Sequence, residues 1–198
     1  VTVISKKYGQ DGAWQWSSNG ADGYTITEAT RETPGTDIIM TLKPDTEEEK
    51  YSRFLQEYEL RSLVKKYSDY IRYPIRMEVT KSRKKDDSPE DQPQYESYKE
   101  LETLNSMIPI WSRPKQEVTQ EEYESFYREK FFDYHKPLKT VHFSTEGTVS
   151  YKALLYIPGK APYDFNTQEY KRGLQLYSSG VMIMENCEEL IPEHFRFV

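Results

Sequence analysis

Between Ser82 and Gln94 the chain reads Ser-Arg-Lys-Lys-Asp-Asp-Ser-Pro-Glu-Asp-Gln-Pro-Gln, with two prolines and no apolar side chain. Such a stretch cannot bury enough surface to offset the entropy of ordering it. It therefore divides the 198 residues into two blocks that each need a core. The reading is a block at 1–81, a charged linker at 82–100 and a block at 101–198. Both blocks are long enough to fold around an apolar interior.

The first block opens with strand-like runs at Val1 to Lys6, Ala13 to Ser17, Tyr24 to Glu28 and Asp37 to Leu42, separated by Gly, Asn, Asp and Pro clusters. Those residues supply positive φ or preset turn dihedrals, so the pattern predicts an antiparallel meander. Thr46 and Glu49 have the capping-box spacing, in which a hydroxyl takes an N3 amide proton and the Glu reaches back. Tyr51, Phe54, Leu55, Tyr58, Leu63, Val64, Tyr67 and Ile71 then recur at helical intervals. A long helix with one face on the sheet follows, ended near Tyr73 because Pro74 disfavours helical backbone before it. Ile75, Met77 and Val79 alternate as a further strand.

In the second block Thr119 and Glu122 repeat the capping-box spacing before Tyr123, Phe126 and Tyr127. Strands are expected at 140–145 and 148–158 around a Glu146-Gly147 turn, and again at 174–177 and 181–184. Residues 188–197 read as helical with Pro192 in the first turn. The fold class is α+β: an antiparallel sheet with a long helix, a linker, then an α/β segment.

The residue types needed for chemistry are sparse. His135, His142 and His194 match no metal spacing, and the lone Cys187 lies among Glu185, Glu188 and Glu189, which raise rather than lower a thiol pKa. Adjacent carboxylates such as Asp86 and Asp87 or Glu188 and Glu189 read as solvated charge, and no glycine-rich phosphate loop is present. A net charge of −6 without a long basic cluster argues against a nucleic-acid partner. No run is long enough to span a bilayer as a helix, so no membrane partner is expected. The start at Val1 without an initiator Met or leader, together with a single cysteine, reads as an interior piece of a larger cytoplasmic protein.

Thr33-Pro34-Gly35-Thr36-Asp37-Ile38-Ile39 resembles the final strand of the ATPase domain shared by gyrase, heat-shock protein 90, histidine kinases and MutL (the GHKL or Bergerat type). With Trp14-Gln15-Trp16-Ser17-Ser18 before it and Leu63-Val64-Lys65-Lys66-Tyr67-Ser68-Asp69-Tyr70-Ile71-Arg72-Tyr73-Pro74-Ile75 after it, the block resembles heat-shock protein 90. The second block resembles that family's middle domain at Pro109-Ile110-Trp111-Ser112-Arg113, Thr119-Gln120-Glu121-Glu122-Tyr123, Leu155 to Asp164, Met182-Ile183-Met184 and Leu190-Ile191-Pro192-Glu193. The short linker, lacking a long acidic tract, is similar to the bacterial branch.

The resemblance implies the C-terminal half of an ATPase domain joined to the first part of a middle domain, in a chaperone whose ATP-driven clamp closes on client proteins. It implies ATP and Mg²⁺ in the full-length protein, none on this piece, and a homodimer formed through a C-terminal domain outside this chain. Thr36 matches a threonine that meets adenine; no catalytic or metal residue carries over. Trp111 matches a tryptophan associated with client contact, beside Ile110, although a tryptophan there suits a packing anchor equally. Lys160, Tyr163 and Phe165 match a loop facing the ATPase domain in the closed clamp, with Tyr163 where the family often has Phe. The family's lysine run after this loop is reduced to Lys171-Arg172. A stand-alone interaction module and the transducer segment of another ATPase of this type are the competing readings.

Overall fold

Strands β1 (Thr2–Lys6), β2 (Ala13–Ser17), β3 (Thr25–Ala29) and β4 (Gly35–Ile39) form one antiparallel sheet in the order β3-β2-β1-β4. The computed structural model describes residues 1–85, 88–89 and 93–198, so the Asp86 and Asp87 pair lies outside the described residues. The chain divides into two compact units, Val1–Gln56 and Glu57–Val198.

The expected meander holds for β1 to β3 only. β4 returns to pair with β1, placing Val3 opposite Ile38 and Ser5 opposite Thr36, and closing a Greek key. Its connection from β3 is short and crosses the end of the sheet. Arg31 secures it, with Nε and Nη2 each donating to an Asp37 carboxylate oxygen at 3.0 Å and Nη1 donating to the Thr33 carbonyl. Gly35, at φ +141°, lies against that guanidinium. Alternation sets Ile38, Val3, Trp16 and Ile26 side by side in one row of one sheet face.

The long helix expected from Thr46 is broken. Thr46 Oγ1 does accept the Glu49 N–H at 2.9 Å, yet only a 3-10 turn at Tyr51–Leu55 follows, and Gln56 is extended at φ −87°, ψ 131°. Helix α1 (Glu57–Tyr67) begins beyond it. Leu60, Leu63 and Val64 are half-buried there, Tyr58 stays exposed, and Lys66 Nζ reaches Glu185 at 2.9 Å. The helix ends before Pro74 acts, because Asp69 and Tyr70 turn into the interior.

Strands β5 (Arg76–Lys84) and β6 (Tyr95–Thr103) pair in register from Arg76 opposite Thr103 to Lys84 opposite Tyr95. Residues 82–84 and 95–100, expected in an unstructured linker, therefore belong to a hairpin. The physical reason is that a ladder needs backbone partners rather than apolar side chains. Charges support it in cross-strand pairs, Arg83 with Glu96 at 2.7 Å, Lys99 with Glu78 at 2.6 Å and Lys81 with Glu100 at 3.2 Å.

Helix α2 (Gln120–Phe131) starts at the predicted capping box, with Thr119 and Glu122 each taking the other's backbone N–H. Its Tyr123 and Tyr127 join Val118 and Tyr156 in the core, with Ile110, Phe126 and Leu154 packed on it. Tyr156 comes from β8 (Tyr151–Ile157), paired with β7 (Lys139–Thr145). Hairpin β9 (Leu174–Ser178) and β10 (Val181–Cys187) turns through Ser179 and Gly180, at φ 52° and 84°, as a type I′ turn requires. A Cβ at Gly180 would overlap the Tyr70 carbonyl. The helix expected at 188–197 is two 3-10 turns, Glu188–Leu190 and Glu193–Phe195, split at Ile191 and Pro192, which are both extended. The architecture is α+β, with antiparallel sheets and two α-helices among the described residues.

Candidate functional site

Trp111 sits in a 3-10 turn at Ile110–Ser112, between extended Pro109 and Arg113. Its half-buried ring lies edge-on to Tyr70 at 4.7 Å, beside Tyr177 at 5.3 Å and edge-on to Phe126 at 6.0 Å. Its carbonyl is 3.1 Å from His142 Nε2, while His142 Nδ1 is 2.6 Å from the Tyr123 hydroxyl. A carbonyl only accepts, so in the neutral ring Nε2 carries the proton and Tyr123 donates to Nδ1. One imidazole thus ties α2, β7 and the tryptophan turn together.

Lys130, at the end of α2, donates to the Tyr177 hydroxyl at 3.1 Å and stands 5.8 Å from both the Tyr70 and Tyr177 ring centres. Burial pushes its pKa down, against the attraction of Asp69 and Glu185. Burial likewise pushes Tyr70 up, and raises Tyr177 to about 12. Asp69 Oδ1 takes Lys65 Nζ at 3.0 Å and the Ser106 N–H at 2.8 Å. These are satisfied packing groups, with no nucleophile held by a base.

The residues singled out from the sequence are divided between the two units. Ile110 and Trp111 point inward. Thr36, in the other unit, is exposed on β4 with its hydroxyl 2.8 Å from Ser5 Oγ. Lys160 is exposed, and Tyr163 is fully exposed on a turn closed by the Phe165 N–H to Pro162 carbonyl bond of 3.1 Å. Phe165 turns away from it, against Tyr170 at 5.1 Å and under the Arg196 guanidinium at 4.6 Å. Burial, then a hydrogen bond to Glu189, pushes the Cys187 thiol up, as its acidic surroundings suggested.

Thr36 by itself does not make a nucleotide pocket. Its hydroxyl is shared with Ser5, and the open grooves found on the first unit are lined by other residues, including Ser18, Asp22 and Tyr24 in one and Arg31 in the other. Among the described residues no group of three or more His, Cys, Asp or Glu is arranged to hold a metal. The described residues do not by themselves complete a site for ATP or Mg²⁺. The grouping of Tyr70, Tyr177 and Lys130 and the pairing of Tyr123 with His142 carry no local signal in the sequence, because the partners are 19 or more residues apart and no spacing marks them.

The sequence model of the Hsp90 protein family matches residues 53–100 and 84–198. The chain belongs to the heat-shock protein 90 family. Relatives named chaperone protein HtpG are 54% identical in Clostridium botulinum and 53% in Clostridium perfringens, over all 198 residues. The chain spans 31% of the length of those heat-shock protein 90 relatives. Among solved structures it is similar to the middle domain of a Plasmodium falciparum heat shock protein, 38% identical with a TM-score of 0.42, covering 46% of this chain and 38% of that one. No helix among the described residues is long and apolar enough to cross a membrane.

Proposed function

We propose that this chain is the junction segment of an ATP-dependent molecular chaperone of the bacterial heat-shock protein 90 type, which helps client proteins fold through an ATP-driven clamp. The observation that carries this is identity of 54% across the whole chain to HtpG chaperones of about three times its length. Residues 1–81 end the GHKL-type ATPase domain, the charged residues paired in the β5–β6 hairpin mark the junction, and 101–198 begin the middle domain. The longer protein binds ATP with Mg²⁺, with Thr36 beside the adenine, dimerises through its C-terminal domain and works in the cytoplasm on partly folded clients. Lys160 and Tyr163, exposed on neighbouring turns, suit the contact with the ATPase domain in the closed clamp.

On this reading the segment contributes contact and coupling, and the chemistry of hydrolysis lies in the rest of the protein. Steady-state phosphate release tests it. The longer protein turns over ATP and the 198-residue chain alone stays at background. Saturable hydrolysis by the chain alone sinks the assignment.

A further inference from the structure

Lys65, Lys66, Lys81, Lys99 and Lys136 each stand within 3.2 Å of a carboxylate, which favours the ammonium form of the side chain. Lys130 forms no ion pair among the described residues. Half-buried near the end of α2, it meets the faces of Tyr70 and Tyr177 and the Tyr177 hydroxyl instead.

The carboxylates that could pair with it are committed elsewhere. Asp69, just beyond α1, takes Lys65 Nζ together with the N–H and the hydroxyl of Ser106, and Glu185 on β10 takes Lys66 Nζ. Burial raises the Tyr70 and Tyr177 hydroxyls, so both stay neutral near pH 7 and neither supplies an anion. Asp69 and Glu185 still attract Lys130 from a distance, but burial outweighs them and Lys65 repels it. An amine that loses hydration without gaining an anion is neutral more often than a lysine in water.

The hydrogen bonds also leave its lone pair free. The Tyr177 hydroxyl donates to Gln175 Oε1 at 3.1 Å, so towards Lys130 it can only accept. A neutral Nζ keeps that N–H···O bond, and its lone pair is the nucleophile of acyl transfer. Among the described residues no carboxylate or imidazole is bonded to Nζ to act as a base. The donor must therefore react with a free amine unaided, as acyl phosphates do.

We propose that Lys130 is a site of covalent acylation by a small acyl phosphate. The Nζ lone pair attacks the acyl carbon and an N–C bond forms. The bond from that carbon to the phosphate oxygen breaks, and its electron pair leaves with phosphate. Nζ gives one proton to solvent, and nothing is oxidised or reduced. The remaining amide N–H can still donate to Tyr177, while the positive charge over the two rings is lost. The inference stands apart from the chaperone reading.

Acetyl phosphate is the probe, added at neutral pH to the longer protein and to this chain, with acylation of each lysine followed by peptide mass spectrometry. Lys130 should react about five-fold faster than the exposed Lys7, Lys139 and Lys160, and denaturing urea should abolish that advantage. Its rate should level off at a lower pH in the folded protein than in urea. Gln175→Glu sets a carboxylate against the Tyr177 hydroxyl and favours the ammonium form, so it should slow Lys130 about three-fold and leave Lys160 unchanged. Equal rates at the four lysines, an advantage that survives urea, coincident pH profiles or an unchanged rate in Gln175→Glu each overturn the proposal. Reaction in the chain but not in the longer protein shows that the site is covered there and also overturns it.

Discussion

The ring of Trp111 stands edge-on to that of Tyr70, with centroids 4.7 Å apart, and this contact joins the turn before α2 to the end of α1. Tyr177 and Phe126 occupy its other sides. Of the two roles open to Trp111 from the sequence, the geometry supports packing. Trp111→Ala should lower unfolding free energy by about 3 kcal/mol, towards the lower end for aromatic truncation because the ring is only half-buried. A urea titration checks this, and a midpoint within error of the parent would return Trp111 to the surface.

Asn105 is buried and fully engaged. Its Nδ2 donates to the Ile71 and Tyr73 carbonyls at 2.8 and 2.9 Å, and its Oδ1 accepts the Ile75 N–H at 2.8 Å. Asn105→Ala strands three backbone groups and should cost about 3 kcal/mol. Hydrogen exchange at Ile75 should accelerate in the same variant. Retained protection there shows that the amide is dispensable.

The Tyr123–His142 pair lends itself to a double-mutant cycle. Tyr123→Phe leaves His142 Nδ1 without its donor, and His142→Phe strands both the Tyr123 hydroxyl and the Trp111 carbonyl; the carbonyl is lost equally in the double variant and cancels in the cycle, so the coupling energy should be about 1–2 kcal/mol. Additive single effects mean that the short contact adds nothing to stability. Imidazole ¹⁵N shifts should place the proton of neutral His142 on Nε2.

The Tyr127 hydroxyl, then the His135 N–H, hold the Asp133 carboxyl below its ordinary pKa. A depressed carboxyl favours the ionised folded state, so its contribution is present above the unfolded value of about 3.9 and is lost as pH falls through the folded value. Asp133→Asn should flatten the acid limb of the stability curve, and the gap between variant and parent should close towards pH 2. A gap that persists at that pH assigns the effect to packing.

Gly180 faces the Tyr70 carbonyl at φ +84°, with no room for a Cβ. Gly180→Ala should destabilise by more than the about 1 kcal/mol of left-handed strain alone, because the β9–β10 turn must also move off Tyr70. Denaturant midpoints measure it, and a loss limited to that strain shows that the approach is relaxed in solution.

Local chemistry made much of this protein readable from its residues. The Thr119/Glu122 capping box placed the start of α2, and the alternation with turn residues placed β1 to β3, β7 to β10 and most of β4, because each signal involves groups within a few positions of one another. Motifs spread along the chain also pointed to the heat-shock protein 90 family before any fold was known. What depends on distant partners was decided only by the tertiary structure. Helix formation failed at Gln56 despite a capping signal and apolar spacing, and residues 76–84 and 95–103 paired as strands because ion pairs such as Arg83 with Glu96 form only when the strands meet. β4 joined β1, and Trp111 turned inward, for the same reason: a strand's neighbour and a ring's burial are properties of the packed chain, which no spacing in the sequence encodes.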